Sequence, residues 1–157
     1  INLFILALIF AIDRITKTYV IYLDKQNLGS EIFTSTFLNI TLIWNSGIAF
    51  GLFSFDKIYF YNLLSIIIAL VILMLIVMAI KNLGSKRYFL LMIIGGALGN
   101  FYDRIFYKAV PDFLDFHVED YHWFIFNFAD IFISIGVILM ILYEIIDNNR
   151  SNTNDKY

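Results

Sequence analysis

The sequence predicts an all-α integral membrane protein with four transmembrane helices, together with a small β-sheet and a short interfacial helix on the outer, periplasmic face. Three observations lead to this prediction. Of the 157 residues, 61% are hydrophobic and 15% are charged, whereas a soluble domain has about 25% charged residues. The stretch from Ile58 to Ile80 contains no charge. Apolar and polar residues alternate between Leu38 and Trp44, which is the period of a strand.

The first predicted span covers residues 1–23, which are apolar apart from Asn2 and a polar cluster around Asp13. Its charges fall in the middle and no small-residue cleavage site follows, so we expect a retained helix rather than a cleavable signal peptide. Asp13 and Lys17 are spaced i, i+4 with the acid first, the favourable order for an ion pair. We favour a structural role for this pair.

The outer segment 31–56 is predicted to contain the strand and then the interfacial helix. Residues 46–47 interrupt the alternating pattern, and the apolar stretch 48–53 is too short to span a bilayer. We therefore expect it to lie at the membrane interface. We further expect segment 47–54 to close over a ligand that arrives laterally from the bilayer.

The second and third predicted spans cover residues 58–80 and 86–104. The second is about 34 Å long at about 1.5 Å per residue, enough for a bilayer core of about 30 Å. The third crosses only if Asp103 and Arg104 lie at or inside the far interface, which makes both candidates for an interior polar site. Gly96 and Asn100 share one side of this helix with them.

Two interpretations of the third span remain open. Gly95 and Gly99 form a GxxxG pattern, which on the simpler interpretation only lets two helices pack closely. Asn100 and Arg104, spaced i, i+4, could equally present hydrogen-bond donors to a site at the outer end.

The fourth predicted span, residues 123–146, contains an intramembrane acid. Asn127, Asp130 and Ser134 form one polar stripe that must face the bundle interior. An ionised carboxylate at membrane depth costs about 2.5–3.5 kcal/mol, so Asp130 needs a partner or a raised pKa. The alternative to a functional role is a buried acid paired with Arg104 or Lys17 to fix helix packing.

The charge distribution predicts the orientation. The connection 81–87 carries three basic residues in its short length, which places it in the cytoplasm by the positive-inside rule. Both termini are then cytoplasmic, and the connections 24–57 and 103–122 lie outside. We expect one domain, residues 1–146, followed by a disordered polar tail, residues 147–157.

Composition excludes several function classes. The chain has no cysteine and a net charge of −2, which excludes thiol chemistry and makes nucleic acid an improbable partner. The two histidines, His117 and His122, lie in one segment and cannot form an HExxH zinc motif or a Ser-His-Asp triad drawn from separate helices. A metal site made of these histidines with nearby acids, Asp115, Glu119 and Asp120, matches no strong motif.

A second carboxyl, that of Asp112, is a candidate partner for Asp130. Asp112 follows Pro111, the one proline, between apolar neighbours. An acid beside a proline is often a turn residue, but a connection returning into the fourth span can bring Asp112 and Asp130 together. Two close carboxyls share one proton, as an aspartic protease requires: one takes a proton from water while the other polarises the amide carbonyl.

Five motifs in order resemble the bacterial lipoprotein signal peptidases, the type II signal peptidases. They cover nearly the whole chain: DRITK (13–17), WNSGIAFG (44–51), GGALGNFYDR (95–104), VPDFLDF (110–116) and FNFAD (126–130). The set GGALGN-x-x-DR, DF and FN-x-AD is the discriminating part. The chain departs from the family's usual residues at a few positions: Arg14, Trp44, Ile48, Pro111 and Phe124.

The resemblance implies a four-helix aspartyl endopeptidase of the bacterial inner membrane, which cleaves the signal peptide of a diacylglyceryl-modified prolipoprotein just before the lipidated cysteine. It implies Asp112 and Asp130 as the catalytic dyad, at the outer leaflet, with Asp13 and Lys17 as structural support. Five further residues match motif positions that hold substrate or a globomycin-type inhibitor: Asn45, Asn100, Asp103, Arg104 and Asn127. We expect a monomer in membrane phospholipid, with no metal and no cofactor.

Three other function classes are alternatives to this one. A small carrier or proton-conducting bundle could use the acids Asp13, Asp103, Asp112 and Asp130 as a relay. A magnesium-dependent lipid-headgroup transferase is disfavoured because its DG-x-x-AR opening is absent. A purely structural protein is disfavoured, because it would keep several costly polar groups in apolar helices without a functional reason.

Overall fold

The computed structural model describes residues 3–47 and 58–154, which form four long helices and one small sheet. In chain order the elements are α1 (Leu3–Gln26), β1 (Leu38–Asn45), α2 (Ile58–Lys81), α3 (Ser85–Phe106), β2 (Val110–Val118), β3 (Tyr121–Phe126) and α4 (Phe128–Asn154). The chain alternates between helices and sheet so that α1 and α3 lead into strands while α4 follows one directly. The predicted interfacial helix, with segment 47–54, falls almost wholly outside the described residues.

Within residues 3–47 and 58–154, three helices are long and apolar enough to cross a membrane: Tyr61–Lys81, Ser85–Phe106 and Phe128–Asp147. The most apolar of them lies in α2, whose residues are apolar on all sides of the helix and whose one charge is Lys81 at its end. Helix α1 is as long as α2, but it carries a cluster of charges around Asp13. The predicted spans 58–80 and 86–104 therefore coincide with helices that can cross a membrane.

Helix α3 is the central element, since it packs against α1, α2 and α4. Glycines allow these close approaches. A Cβ atom at Gly96 would lie 2.5 Å from the Ala129 carbonyl oxygen of α4, and one at Gly99 would collide with the Asp13 carboxyl of α1. The glycines of the predicted GxxxG pattern thus face α1, where Gly95 meets Ile9, while Gly96 provides the contact with α4.

The sheet has three antiparallel strands in the order β1-β2-β3. The strand predicted from the alternation at 38–44 is confirmed as β1. Strand β2 lies in the middle, and its first six residues, 110–115, are buried. Phe113 and Leu114 pack with Val20 of α1, which fixes the sheet against the helices.

The predicted fourth span begins too early. Residues 121–126 form β3 instead, and α4 begins at Phe128, so Asp130 lies in the first turn of the helix. Strands β2 and β3 form a hairpin across residues 119–120, in which Val118 pairs with Tyr121. The aromatic residues of this stretch suit a strand as well as a membrane interface, and strand pairing decides between the two.

Helix α4 also extends beyond the predicted span. It continues to Asn154, so residues 147–154 are helical where their polar composition predicts disorder. Nucleation is the costly step of helix formation, and a helix that already exists adds each further residue at little cost.

Replacing Gly96 by valine should loosen the α3–α4 contact. The new side chain would meet the Ala129 carbonyl oxygen, and overpacking of this kind costs about 1–3 kcal/mol. We expect Gly96→Val to lower the thermal unfolding temperature in detergent. Ala7→Val, on an exposed face of α1, is the matched control. Equal unfolding temperatures for the two variants would contradict the packing argument.

Candidate active site

A cavity of about 560 Å³ lies where β1, β2 and β3 meet α2, α3 and α4. Its wall is mostly apolar, with Phe124 and Phe126 of β3 on one side and Ile133 of α4 on another. Six polar residues also line it: Asn45, Asn100, Arg104, Asp112, Asp130 and Ser134. The cavity therefore combines an apolar body with a small group of acidic, amide and basic side chains, as ligand sites commonly do.

Asp112 lies in the central strand rather than in a turn. Its side chain is 4% exposed, and each carboxyl oxygen accepts one hydrogen bond from an amide. Asn127 Nδ2 donates to Oδ1 at 2.6 Å, and Asn45 Nδ2 donates to Oδ2 at 2.9 Å. The adjoining Pro111 cannot donate to the sheet, yet it pairs with Trp44 in β1, so the strand holds Asp112 in place.

Asp130 is held by a reciprocal cap at the start of α4. Its backbone N–H donates to Asn127 Oδ1 at 3.2 Å, and the Asn127 N–H donates to Asp130 Oδ2 at 3.1 Å. This is the geometry of a capping box, built here from an N-cap asparagine and an aspartate three residues later. Because the Asn127 side chain also binds Asp112, one asparagine contacts both carboxyls.

The remaining oxygen of Asp130 is reached from α1 through a relay. Lys17 Nζ donates to Asn100 Oδ1 at 2.7 Å, and Asn100 Nδ2 donates to Asp130 Oδ1 at 2.8 Å. An amide can point either its oxygen or its nitrogen at a neighbour, and the two orientations differ only by a flip. The Lys17 ammonium, which has donors only, fixes the amide so that its nitrogen faces Asp130.

Lys17 belongs to a buried cluster of four charges between α1 and α3. Its ammonium lies 2.9 Å from the Asp13 carboxyl and 2.7 Å from the Asp103 carboxyl. Arg14 also pairs with both, at 2.7 Å and 2.6 Å. Asp13 and Asp103 are fully buried. Two anions and two cations make the cluster neutral overall. Their mutual attraction offsets the free-energy cost of burying each charge.

Arg104 differs from Arg14 and Lys17 because it forms no ion pair within residues 3–47 and 58–154. Its side chain is 9% exposed, and its guanidinium donates to the carbonyl oxygens of Asn100 at 3.2 Å and Gly47 at 3.4 Å. Its Nε atom is buried and has no partner among the described residues. A buried cation with spare donors at the wall of a cavity is suited to binding a carbonyl or an anionic group.

The electrostatic environment acts on Asp112. Burial raises the pKa of its carboxyl from the ordinary 3.8 to about 6, and the nearby charge of Asp130 acts in the same direction. Hydrogen bonds from Asn45 and Asn127 oppose this rise. The ionised form is thus the costly one in the folded protein. That cost is present in full above about pH 6, and it disappears as the pH falls towards the ordinary pKa.

Two predicted substrate contacts lie elsewhere. Asp103 is fully buried in the ion cluster and is not part of the cavity wall, because its side chain points towards α1. Asn127 is also fully buried, behind the two carboxyls. Asn45, Asn100 and Arg104 do line the cavity. The sequence signal that points to Asn127 and to the start of α4 is the capping-box spacing of residues 127 and 130.

The geometry decides between a cation and an amide as the partner of Asp130. Lys17 pairs with Asp13 and Asp103, so the partners of Asp130 are amides rather than Lys17 or Arg104. On the hairpin, His122 Nδ1 lies 2.8 Å from Asp115, and its ring stacks on His117 at 5.0 Å. No group of three metal-binding side chains is found in the described part of the chain.

The arrangement favours one class of protein. Two carboxyls share one asparagine and one cavity at the end of apolar helices, a geometry suited to acid–base chemistry in a membrane-embedded hydrolase.

Comparison with known proteins then identifies the family. Residues 5–146 match the family model described as signal peptidase (SPase) II. The chain is 52% identical over 155 residues to the lipoprotein signal peptidase of Pelagibacter ubique, covering 99% of this chain and 93% of that protein. It is 39% identical over 155 residues to that of Francisella tularensis subsp. novicida, covering 94% of each.

A solved structure agrees with these relatives. A structure described as a bacterial membrane enzyme matches with a TM-score of 0.77 and 32% identity, covering 94% of this chain and 89% of that one. The chain belongs to the signal peptidase II family. The resemblance carried by the five motifs is confirmed, and family membership makes the chain a membrane protease.

Removing the Lys17 charge should destabilise the fold strongly. Lys17→Met would leave Arg14 alone against two buried carboxylates, and breaking a buried ion pair from one side costs about 3–5 kcal/mol. Lys86→Met is the matched control, because Lys86 pairs at 2.8 Å with Glu144, whose side chain is 56% exposed. We expect thermal unfolding in detergent to show a large loss for the first variant and little change for the second. Similar losses would contradict the proposed importance of the buried cluster.

Proposed function

We propose that the protein is an aspartyl endopeptidase that cleaves the signal peptide of diacylglyceryl-modified prolipoproteins immediately before the lipidated cysteine. The observation that carries this proposal is the pairing of Asp112 and Asp130 at one cavity through the side chain and backbone of Asn127. Family membership supports the reaction class. Two carboxyls and a water molecule supply all the chemistry, so the proposal includes no metal and no cofactor.

The reaction begins with one proton shared by the two carboxyls. The ionised carboxyl takes a proton from water, and the resulting hydroxide attacks the carbonyl carbon of the scissile bond. The protonated carboxyl donates to the carbonyl oxygen as that oxygen gains negative charge. When the tetrahedral intermediate collapses, one of its hydroxyl groups returns a proton to the pair, the C–N bond breaks, and the leaving amine takes up a proton from the pair. One proton remains on the dyad, so the cycle can start again.

The amides keep the two carboxyls in this shared state. Asn45, Asn100 and Asn127 are neutral donors, and among them they reach all four carboxyl oxygens. A cation in direct contact would stabilise both ionised forms and remove the shared proton. The ammonium of Lys17 binds the Asn100 amide instead, and this amide binds Asp130. The position of the Asp130 carboxyl is thus fixed without a charge in direct contact with it.

Arg104, Asn45 and Asn100 are the proposed substrate-binding side chains. All three line the cavity beside the dyad. The guanidinium of Arg104 has five N–H donors and makes two hydrogen bonds among the described residues, so a carbonyl oxygen of the substrate or an inhibitor of the globomycin type would find a donor there. We assign Asp103, Asn127, Asp13 and Lys17 to positioning the dyad.

The proposed topology has four spans with both termini in the cytoplasm of the inner membrane. Helix α1 is proposed as a span in addition to α2, α3 and α4, because its charges are neutralised against α3 while Phe4, Leu8 and Ile15 leave apolar faces exposed. The basic connection between α2 and α3 supports the orientation. The sheet and dyad then lie at the outer face, and the substrate, a lipid-anchored peptide in membrane phospholipid, enters a monomer from the side.

Asp112→Asn and Asp130→Asn should each abolish cleavage without unfolding the protein. Asparagine keeps the size of aspartate and one of its two acceptor oxygens, but its NH2 group accepts no hydrogen bond and it transfers no proton. The assay is the mass shift of a diacylglyceryl-modified prolipoprotein incubated with purified enzyme in detergent. Asp115→Asn, on the same strand and equally buried but absent from the cavity wall, should retain cleavage. Turnover by either dyad variant would refute the assignment.

Asn45→Ala should move the pH profile upwards. Removing the donor to Asp112 Oδ2 disfavours the ionised carboxyl, so its pKa rises. A hydrogen bond of about 1 kcal/mol corresponds to roughly half a pH unit to one unit. We expect the limb of the kcat/KM profile that reports Asp112 to shift to higher pH by this amount, although the apparent values belong to the pair.

The control for the pH profile lies on the same strand. Asn39→Ala removes an asparagine whose side chain bonds Ser35 instead of the dyad, and its profile should match the wild type. A shift of either limb to lower pH in Asn45→Ala would contradict the assigned hydrogen bond.

A further inference from the structure

One polar residue of the cavity stands apart from the group around the dyad. Ser134 lies one turn further along α4 than Asp130, and the neighbouring cavity wall is apolar, formed by Ile68, Ala97 and Ile133. We propose that the Ser134 hydroxyl binds the substrate backbone about two residues before the cleaved bond, an inference that rests on the proposed function. Ser134 would thus help to set which bond reaches the dyad.

The Ser134 hydroxyl has no partner within the protein as described, residues 3–47 and 58–154. Two other hydroxyls of the helices behave differently, since each donates to the carbonyl oxygen four residues before it. Thr16 bonds to Ile12 at 2.8 Å, and Ser65 bonds to Tyr61 at 3.0 Å. This is the usual way for a helix hydroxyl to be satisfied in an apolar setting. Ser134 instead leaves its donor and acceptor available to the cavity.

The spacing along α4 sets the position that Ser134 would contact. Four residues of helix advance about 6 Å, whereas an extended peptide advances about 3.3 Å per residue. A substrate lying along α4 with its scissile carbonyl at Asp130 therefore places a backbone group near Ser134 about two residues away. In the proposed topology that direction is deeper in the membrane, which is where the signal-peptide side of the substrate lies.

The substrate needs such a partner. A signal peptide crosses the membrane as a helix, but the segment entering the dyad must be extended for water to attack its carbonyl. Extension frees backbone N–H and C=O groups in an environment without water, where each unsatisfied group is costly. The apolar walls at Ile68, Ala97 and Ile133 offer no hydrogen bond. Ser134 can supply one at the depth where the extended segment begins.

The test combines substitutions of Ser134 in the enzyme with replacement of one backbone amide in the substrate. Ser134→Ala removes the hydroxyl and Ser134→Thr retains one. The substrate is a synthetic diacylglyceryl-cysteine lipopeptide, prepared as the normal peptide and with an (E)-alkene replacing the amide two residues before the cleaved bond. A third lipopeptide carries the alkene two residues further towards the N-terminus. Ser65→Ala is the matched control, because the Ser65 hydroxyl is already satisfied by Tyr61.

We expect Ser134→Ala to lower kcat/KM for the normal lipopeptide about tenfold, the effect of one hydrogen bond. Ser134→Thr should recover most of it, and Ser65→Ala should equal the wild type. The nearer alkene should lower the wild-type rate to a similar extent, and Ser134→Ala should then cause no further loss, since both changes remove the same bond. The more distant alkene should leave the tenfold effect of Ser134→Ala intact.

Two results would overturn the inference while leaving the proposed function standing. One is Ser134→Ala cleaving the normal lipopeptide at the wild-type rate. The other is the losses from Ser134→Ala and the nearer alkene multiplying, which would mean that they act on different bonds. Failure of the folded wild-type enzyme to cleave the normal lipopeptide would instead overturn the proposed function, and the role of Ser134 with it.

Discussion

The structure depends on neutralising four charges inside a bundle of apolar helices. Asp13, Arg14, Lys17 and Asp103 do this in pairs, and the cluster joins α1 to α3. It also reaches α4, because the Ala129 N–H at the start of that helix donates to Asp13 Oδ1 at 3.2 Å. A first-turn N–H has no partner within its own helix, so a carboxylate from α1 satisfies it. One charge cluster thus fixes three helices, and each of its four charged groups has a partner of opposite charge.

Neutral amide side chains connect the charge cluster to the carboxyl pair by hydrogen bonds. An asparagine side chain both donates and accepts, so Asn100 accepts from Lys17 and donates to Asp130. Asn127 likewise accepts from Asp130 and donates to Asp112. Because these side chains carry no charge, they fix the positions of the carboxyls and favour ionisation less than a cation in direct contact would. This separation of orientation from charge suits a pair that must hold one proton.

Much of this could be predicted from the sequence, and the parts that could not have physical reasons. Local periodicity is sufficient for β1 and for the Asp13–Lys17 ion pair, because strand alternation and i, i+4 spacing are properties of one segment. The hairpin of β2 and β3 is not predictable in this way, because its aromatic residues favour both strands and membrane interfaces. The partners of Asp130 were also beyond local patterns. A buried acid needs a partner, but whether that partner is a cation or an amide depends on segments that lie far apart in the chain.

Neighbouring residues of one motif can serve opposite purposes for the same reason. Successive helix positions point about 100° apart, so Asp103 faces α1 while Arg104 faces the cavity. Asp103 is satisfied by two cations, whereas Arg104 keeps an unpartnered Nε within the described residues. A motif read as a single binding element therefore divides into a side chain that holds the helices together and one that is free to meet a ligand. Substitutions at the hidden position should alter stability and chemistry together, and those at the cavity wall should alter chemistry with little effect on folding.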